Sequence, residues 1–215
     1  MQELVNVTAI VLSSTPVGEY DRRVVLLTKE RGKITAFAKG ARRQTSKLIA
    51  ATNLFAFGQF KLYPGRSSYT MTDAVIQNYF EELRVDFEGA YYGMFFLEVC
   101  DYYTRENNDE KEFLKLLYQS LKALLVKSLN RKLVQCIFEM KAMVINGEFP
   151  GMPAEGNWQE STEYAVSYIM SSSIEKLYTF TVSDTVLEEM IRISERYRLR
   201  YIDREFKSLE MLSFV

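Results

Sequence analysis

The stretch Lys33-Ile34-Thr35-Ala36-Phe37-Ala38-Lys39-Gly40-Ala41-Arg42-Arg43 decides how this chain of 215 residues is read. From Lys33 to Lys39 it alternates. Ile34, Ala36 and Ala38 form a weak apolar face, and Lys33, Thr35, Phe37 and Lys39 project together from the other. Phe37 therefore stands between two cations, where it either stacks on a planar ligand or turns into a core. The same texture extends to both sides. Thr8 to Ser14, Arg23 to Thr28, Phe55 to Tyr63 and Ser68 to Ile76 are short runs rich in Val, Ile, Thr, Phe and Tyr. Pro16-Val17-Gly18, Arg31-Gly32-Lys33, Lys39-Gly40 and Pro64-Gly65-Arg66-Ser67 punctuate them. Five such strands predict a small barrel in residues 1–80, of OB type or, on periodicity alone, SH3-like. The longest interval between strands, Gly40 to Asn53, is a basic loop with room for one helical turn.

After Glu81-Glu82 the apolar period changes from 2 to about 3.6. Helices are expected over Phe87 to Tyr103, Lys111 to Val126, Arg131 to Ile145 and Asp184 to about Arg196, with Asp184 as an N-cap of the last. The stretch from Asn146 to Thr181 differs. Its Gly and Pro residues and Ser171-Ser172-Ser173 predict an insertion, about 147–181, with two short strands at Ala165 to Met170 and Leu177 to Thr181. The class expected is α+β: a barrel over 1–80, then a helical domain over 81–215.

The net charge of −1 conceals a division. Residues 1–80 carry 11 Lys and Arg against 5 acids, and the remainder 16 against 23, so the halves are +6 and −7. Between Arg22 and Lys47 nine basic residues face only Glu30. This asymmetry points to a module for polyanions joined to something else.

Catalytic chemistry has little to work with. There is no histidine, hence none of the commonest general base or metal ligand. Gly32-Lys33 lacks the earlier glycine of a phosphate-binding loop, Leu27 holding that place, and no GxGxxG is present. Ser46 and Lys47 are neighbours whose side chains diverge. Glu81-Glu82 and Glu188-Glu189 suit helix starts. Cys100 and Cys136 are too far apart for a zinc half-site and sit in apolar helical runs, as core thiols do. The chain is expected to bind rather than to catalyse, with no cofactor and no metal. Its N-terminus lacks the basic region of a signal peptide, and no run of about 18 apolar residues occurs. A reduced, cytoplasmic compartment follows, with the Asn6-Val7-Thr8 sequon read as chance.

Several blocks carry a family resemblance: Ala9-Ile10-Val11-Leu12; Gly18-Glu19-Tyr20-Asp21-Arg22; Leu26-Leu27-Thr28-Lys29-Glu30-Arg31-Gly32-Lys33; and, most specific, Lys39-Gly40-Ala41-Arg42-Arg43 followed by Ser46-Lys47-Leu48. Leu83-Arg84, Ala90-Tyr91-Tyr92 and Glu98 add to them, as do Leu199-Arg200-Tyr201 and Lys207-Ser208-Leu209, which look like a closing basic helix. On these residues the chain resembles the bacterial RecO recombination mediators, well over 1–100 and more thinly beyond. The resemblance implies an N-terminal OB fold, annealing of complementary strands and help in loading recombinase onto single strands. It also implies RecR and the tail of single-stranded DNA-binding protein as partners, and a place at the nucleoid. Many members carry a four-cysteine zinc module where this chain has Asn146 to Thr181, so the insertion is expected to be zinc-ribbon-like in shape without zinc. The His-Leu-Gly of the family's last helix is replaced by Ile202-Asp203.

Annealing asks for no bond chemistry. It needs a cationic track along the phosphates, with base edges left free. Arg42, Arg43 and Lys47 are the leading phosphate contacts. Arg22, Arg23, Lys33 and Lys39 extend the track, and Phe37, Tyr20 and Tyr63 are candidate stacking rings. Near the C-terminus Arg192, Arg196, Arg200 and Arg204 recur every four residues. Were the helix unbroken they would form a slowly drifting stripe. The resemblance implies that Arg196, Arg200 and Arg204, with Lys207, dock an acidic, apolar-ended peptide such as the tail of single-stranded DNA-binding protein. The bland alternative is intrahelical pairing, Glu188 with Arg192 and Asp203 with Lys207. An RNA-binding or ribosome-associated barrel, or an adaptor that has lost nucleic-acid affinity, would share the same charge pattern.

Overall fold

The computed structural model describes residues 3–214; Met1, Gln2 and Val215, at the ends of the expected domains, lie outside the described residues. Five strands form where they were expected: β1 (Val5–Val17), β2 (Asp21–Thr28), β3 (Gly32–Ala38), β4 (Phe57–Pro64) and β5 (Tyr69–Asn78), with the single-turn helix α1 (Leu48–Ala51) between β3 and β4. They close in the order β1-β2-β3-β5-β4. The β3–β5 pair is parallel, through Ala36 opposite Tyr69 and Phe37 opposite Thr70, and the other pairs are antiparallel. A parallel pair needs a crossover, here α1 and β4. A helix between the third and fourth strands and a third strand closing on the fifth make an OB-type barrel.

Alternation drives the closure. Ile34, Ala36 and Ala38 of β3 join Val7, Ala9, Val11, Val24, Leu26, Phe60, Leu62 and Met71 in one buried core. A register slip of a single residue would turn this set to solvent. Phe55 stands outside β4: its φ of 71° is left-handed, and its N–H donates to the Val11 carbonyl.

Two compact units result, one of residues up to Glu81 with Leu97–Leu114, the other of Glu82–Phe96 with Lys115 onward. The first thus takes in more than the strands. Gly32, at φ +65°, bridges to Glu106, and a Cβ there would lie 2.2 Å from the Arg105 carbonyl oxygen, so only glycine allows this approach. The Lys33 N–H donates to that carbonyl at 3.0 Å.

The helices are α2 (Glu81–Val85), α3 (Phe87–Tyr103), α4 (Lys111–Leu124), α5 (Arg131–Ile145), α6 (Glu160–Ser171), α7 (Asp184–Tyr201) and α8 (Lys207–Leu212). The insertion departs from expectation. In place of two strands and a ribbon-like shape, it holds α6 and a 3-10 turn at Ile174–Lys176. Thr162, Ala165, Val166 and Ile169 are buried at the spacing of a helix, which overrides the strand-like composition of Ala165 to Met170. Neither cysteine nor histidine occurs in this segment, so its donors do not suit zinc. The last long helix is capped by Ser183, whose hydroxyl accepts from the Val186 N–H, and Asp184 falls in its first turn.

Two charges of opposite sign hold α6 by its ends. Glu189 of α7, 5% exposed, accepts from the Gln159 N–H at 3.1 Å and from the Thr162 hydroxyl. Lys141 of α5, 7% exposed, donates to the carbonyls of Ile169 at 3.0 Å, Met170 at 3.1 Å and Ser172 at 2.8 Å. A carboxylate at the N-terminus and an ammonium at the C-terminus match the helix dipole and satisfy groups that a helix end leaves unpaired. The Thr162 hydroxyl and the Gln159 N–H keep the Glu189 carboxyl below its ordinary range. Its contribution is therefore present above the unfolded pKa and is lost as pH falls through the folded one.

Lys141→Met leaves three carbonyls without this donor. It is expected to cost about 2–3 kcal/mol and to lower Tm by roughly 5–10 °C in a calorimetric scan. Glu189→Gln is expected to make stability less sensitive to mild acid. An unchanged Tm for Lys141→Met would contradict the clamp.

Candidate nucleic-acid interface

The face of β3 opposite the core meets its neighbour on β2 in register, Arg23 beside Phe37 and Val25 beside Thr35. Phe37 is half-buried and stands outside the barrel core, which settles its orientation as outward. Arg23 is exposed and donates to the Thr35 hydroxyl at 3.4 Å. Lys39, just past the end of β3, is exposed too. Lys33 shares this parity but not this freedom. Its side chain is 21% exposed, and its ammonium is held 3.1 Å from the Asp101 carboxylate and also donates to the Asp101 carbonyl. The line of four residues is thus divided into a fastened end at Lys33 and an open end at Phe37 and Lys39. Arg22 points the other way: it donates to Ser14 Oγ at 3.1 Å and Asn53 Oδ1 at 3.5 Å, with its Nε buried.

The loop from Lys39 to Lys47 is a ledge fixed at several points. Gly40, at φ +66°, donates its N–H to the Asp21 carboxylate at 2.7 Å. Ala41 is buried in the core, which draws the loop down onto the barrel. The Arg42 N–H donates to the Tyr20 carbonyl at 2.9 Å, and its guanidinium to the carbonyls of Gly18 at 3.2 Å and Glu19 at 3.0 Å. Arg42 therefore ties the ledge to the β1–β2 turn while keeping further donors on its fork. The Arg43 guanidinium lies over the Tyr20 ring, 4.7 Å from its centre, and Lys47 is exposed just before α1. The result is a row of exposed cations, Arg23, Lys39, Arg42, Arg43 and Lys47, beside two rings, Phe37 and Tyr20. Tyr63 is exposed at the far end of β4.

Arg66 and Arg31 are among the further cations of this unit. Arg66 is exposed in the β4–β5 turn, and Arg31 lies 6.0 Å from the centre of the Tyr69 ring. The turn Pro64-Gly65-Arg66-Ser67 offered Arg66 in the sequence. Tyr69 had no such signal, because its place beside Ala36 depends on the parallel pairing of β3 with β5.

The helix that would carry all four C-terminal cations as a stripe is broken before the last of them. The helix α7 ends at Tyr201 and Ile202 is extended, so Arg204 lies beyond it and Lys207 opens α8. Arg192 pairs at 3.9 Å with Glu189, three residues before it, and also lies 5.5 Å from the centre of the Trp158 ring. Arg196 pairs with Glu155 at 3.2 Å, and Arg200 lies 5.5 Å from the centre of the Tyr201 ring. The cation most deeply engaged here is Arg198, which sequence spacing did not single out. It meets Glu139 at 2.8 Å, with Gln135 and Ser194 completing the carboxylate's contacts. Cys100 and Cys136 are buried, and burial raises both thiols well above their ordinary range, so they are poor nucleophiles.

A face of exposed cations and rings can hold a polyanion by charge and stacking, with no bond chemistry required. Residues 1–80 match the family model described as Recombination protein O N terminal, and residues 84–152 the one described as Recombination protein O C terminal. A protein of Acetivibrio thermocellus named DNA repair protein RecO is 25% identical over 237 residues, covering 95% of this chain and 94% of that one. Its namesake in Alkaliphilus metalliredigens is 26% identical over 241 residues, covering 97% and 98%, and one in Clostridium perfringens 25% identical over 242 residues, covering 99% and 98%. With both halves of one family matched in order, this chain belongs to the recombination protein O family, whose role is that of a recombination mediator in DNA repair.

Proposed function

We propose that this protein binds single- and double-stranded DNA through the ledge and the open end of β3, anneals complementary strands and helps to load recombinase onto single strands. The observation that carries this reading is the set of exposed cations, Arg23 on β2 with Lys39, Arg42, Arg43 and Lys47 on the ledge, beside Phe37 and Tyr20, the ledge's backbone being pinned by Asp21 and Arg42. Pre-placed cations hold two phosphate chains near each other without the cost of ordering a flexible arm. Rings on the same face stack bases, about 1–3 kcal/mol each, while leaving pairing edges free. Lys33 and Arg22 are spent on Asp101, Ser14 and Asn53 and serve the barrel first. No step of this function makes or breaks a covalent bond, so the protein acts as a mediator and not as an enzyme.

In this reading the division of the chain near residue 80 separates DNA binding from partner binding. RecR and the acidic tail of single-stranded DNA-binding protein are the partners. The tail is taken up around Arg196, Arg200, Arg204 and Lys207, and the work is done in the cytoplasm at the nucleoid. The exposed Arg196–Glu155 pair is weak enough to be exchanged for a partner's carboxylate.

If about six phosphates are neutralised, log K for a single-stranded oligonucleotide falls against log salt with a slope of roughly −4. The Lys39→Ala, Arg43→Ala, Lys47→Ala variant should flatten that slope to about −2 and slow annealing of complementary oligonucleotides at least tenfold. Binding indifferent to salt, or unchanged annealing, would contradict the proposal, and preference for RNA in direct competition would assign the face to RNA instead. Lys33→Met should show the opposite profile: a lower Tm, with oligonucleotide affinity changed by less than about twofold.

A further inference from the structure

A second binding surface lies in the helical unit, on the side of α6 turned from the clamp. A cavity of about 680 Å³ runs between α6 and the chain from Phe180 into α7. Its floor is Ala165 and Val186, both buried, and its walls are Tyr164, Tyr168 and Phe180. Tyr168 and Phe180 meet edge to face, ring centres 5.3 Å apart, and Tyr164, one turn earlier on α6, is 73% exposed. A second cavity of about 610 Å³ shares Phe180 and Thr181 with the first and continues to Ala123 and the exposed Val126. Together they make one groove, aromatic at one end and aliphatic at the other, each cavity being of the volume usual for ligand sites.

Its electrostatic character is marked. Glu160 lines the aromatic end, and Glu163, Asp184 and Glu188 stand exposed on the helices that form it. From residue 155 to residue 190 the chain has seven acids and one base, Lys176. Lys122 lines the groove at its aliphatic end. The N-termini of α6 and α7 would favour an anion, but that demand is already met, by Glu189 at Gln159 and by Ser183 at Val186. Nucleic acid is repelled here.

We propose that this groove takes an extended peptide of a protein partner, with an arginine or lysine between the Tyr164 and Tyr168 rings and Glu160, and a neighbouring apolar side chain over Ala123 and Val126. Tyrosine faces with an adjacent carboxylate are the chemistry that holds a cation, and charge complementarity selects a basic segment over an acidic one. The clamp on α6 keeps the aromatic wall in place before the peptide arrives.

The test is fluorescence polarisation of the whole protein with a short labelled probe peptide alternating arginine and leucine, against the same peptide with glutamate for arginine. The arginine peptide should bind at least tenfold more tightly. Tyr164→Ala and Glu160→Gln, both at exposed positions, should each weaken it by about five- to tenfold, with melting temperature and oligonucleotide affinity unchanged. Equal binding of the two peptides, or variants that bind the arginine peptide like the parent, would overturn the proposal. So would self-association removed by Tyr164→Ala, which would place a second copy of the chain in the groove.

Discussion

Ile34, Ala36 and Ala38 turn into the barrel, and because side chains alternate along a strand, their burial commits Lys33, Thr35 and Phe37 to the opposite face. Everything proposed for the N-terminal unit depends on that parity. It sets Phe37 beside Arg23 on β2, points Lys33 at Asp101, and delivers the chain at Lys39 into the loop that carries the remaining cations. The loop is then held by groups of the barrel itself, Asp21 on the Gly40 N–H and the β1–β2 turn under the Arg42 guanidinium. A cationic track on a rigid support is what strand pairing needs, since phosphate repulsion has to be offset without covering base edges.

The helical unit solves a different problem with the same means. In the absence of zinc ligands, the segment after Asn146 is ordered by buried charge, with Lys141 and Glu189 at the two ends of α6. Arg198 with Glu139, and Arg131 with Asp86 and Glu88, tie neighbouring stretches in similar fashion. Other acids stay outside, among them Glu160 and Glu163 on α6 and Asp184 and Glu188 at the start of α7.

The barrel was legible because its strands alternate and its turns carry Gly and Pro; the five expected runs differ from β1 to β5 only at their ends. The helices Phe87–Tyr103 and Arg131–Ile145 were legible from period alone. The α6 helix was not, since Val166, Tyr168 and Ile169 favour strands locally and only burial of Thr162, Ala165, Val166 and Ile169 on one face makes the segment helical. Of the candidate site, the basic loop and the outward face of β3 could be read, because both follow from spacing. Which cations are spent could not: Lys33 meets Asp101 across 68 positions, and Arg22 meets Asn53 across 31. The break of α7 at Ile202, which removes Arg204 from the stripe, had no glycine or proline to announce it.

In the proposed function, polyanion is held by the barrel's exposed cations and not by the helical unit. Amide chemical shifts of isotope-labelled protein, followed while a single-stranded oligonucleotide is added, test it most directly. Shifts are expected to gather at Tyr20, Arg23, Phe37 and Lys39 through Lys47, with little change at Lys33 or along α4 to α7. Shifts centred on the helices, with the ledge unmoved, would contradict it.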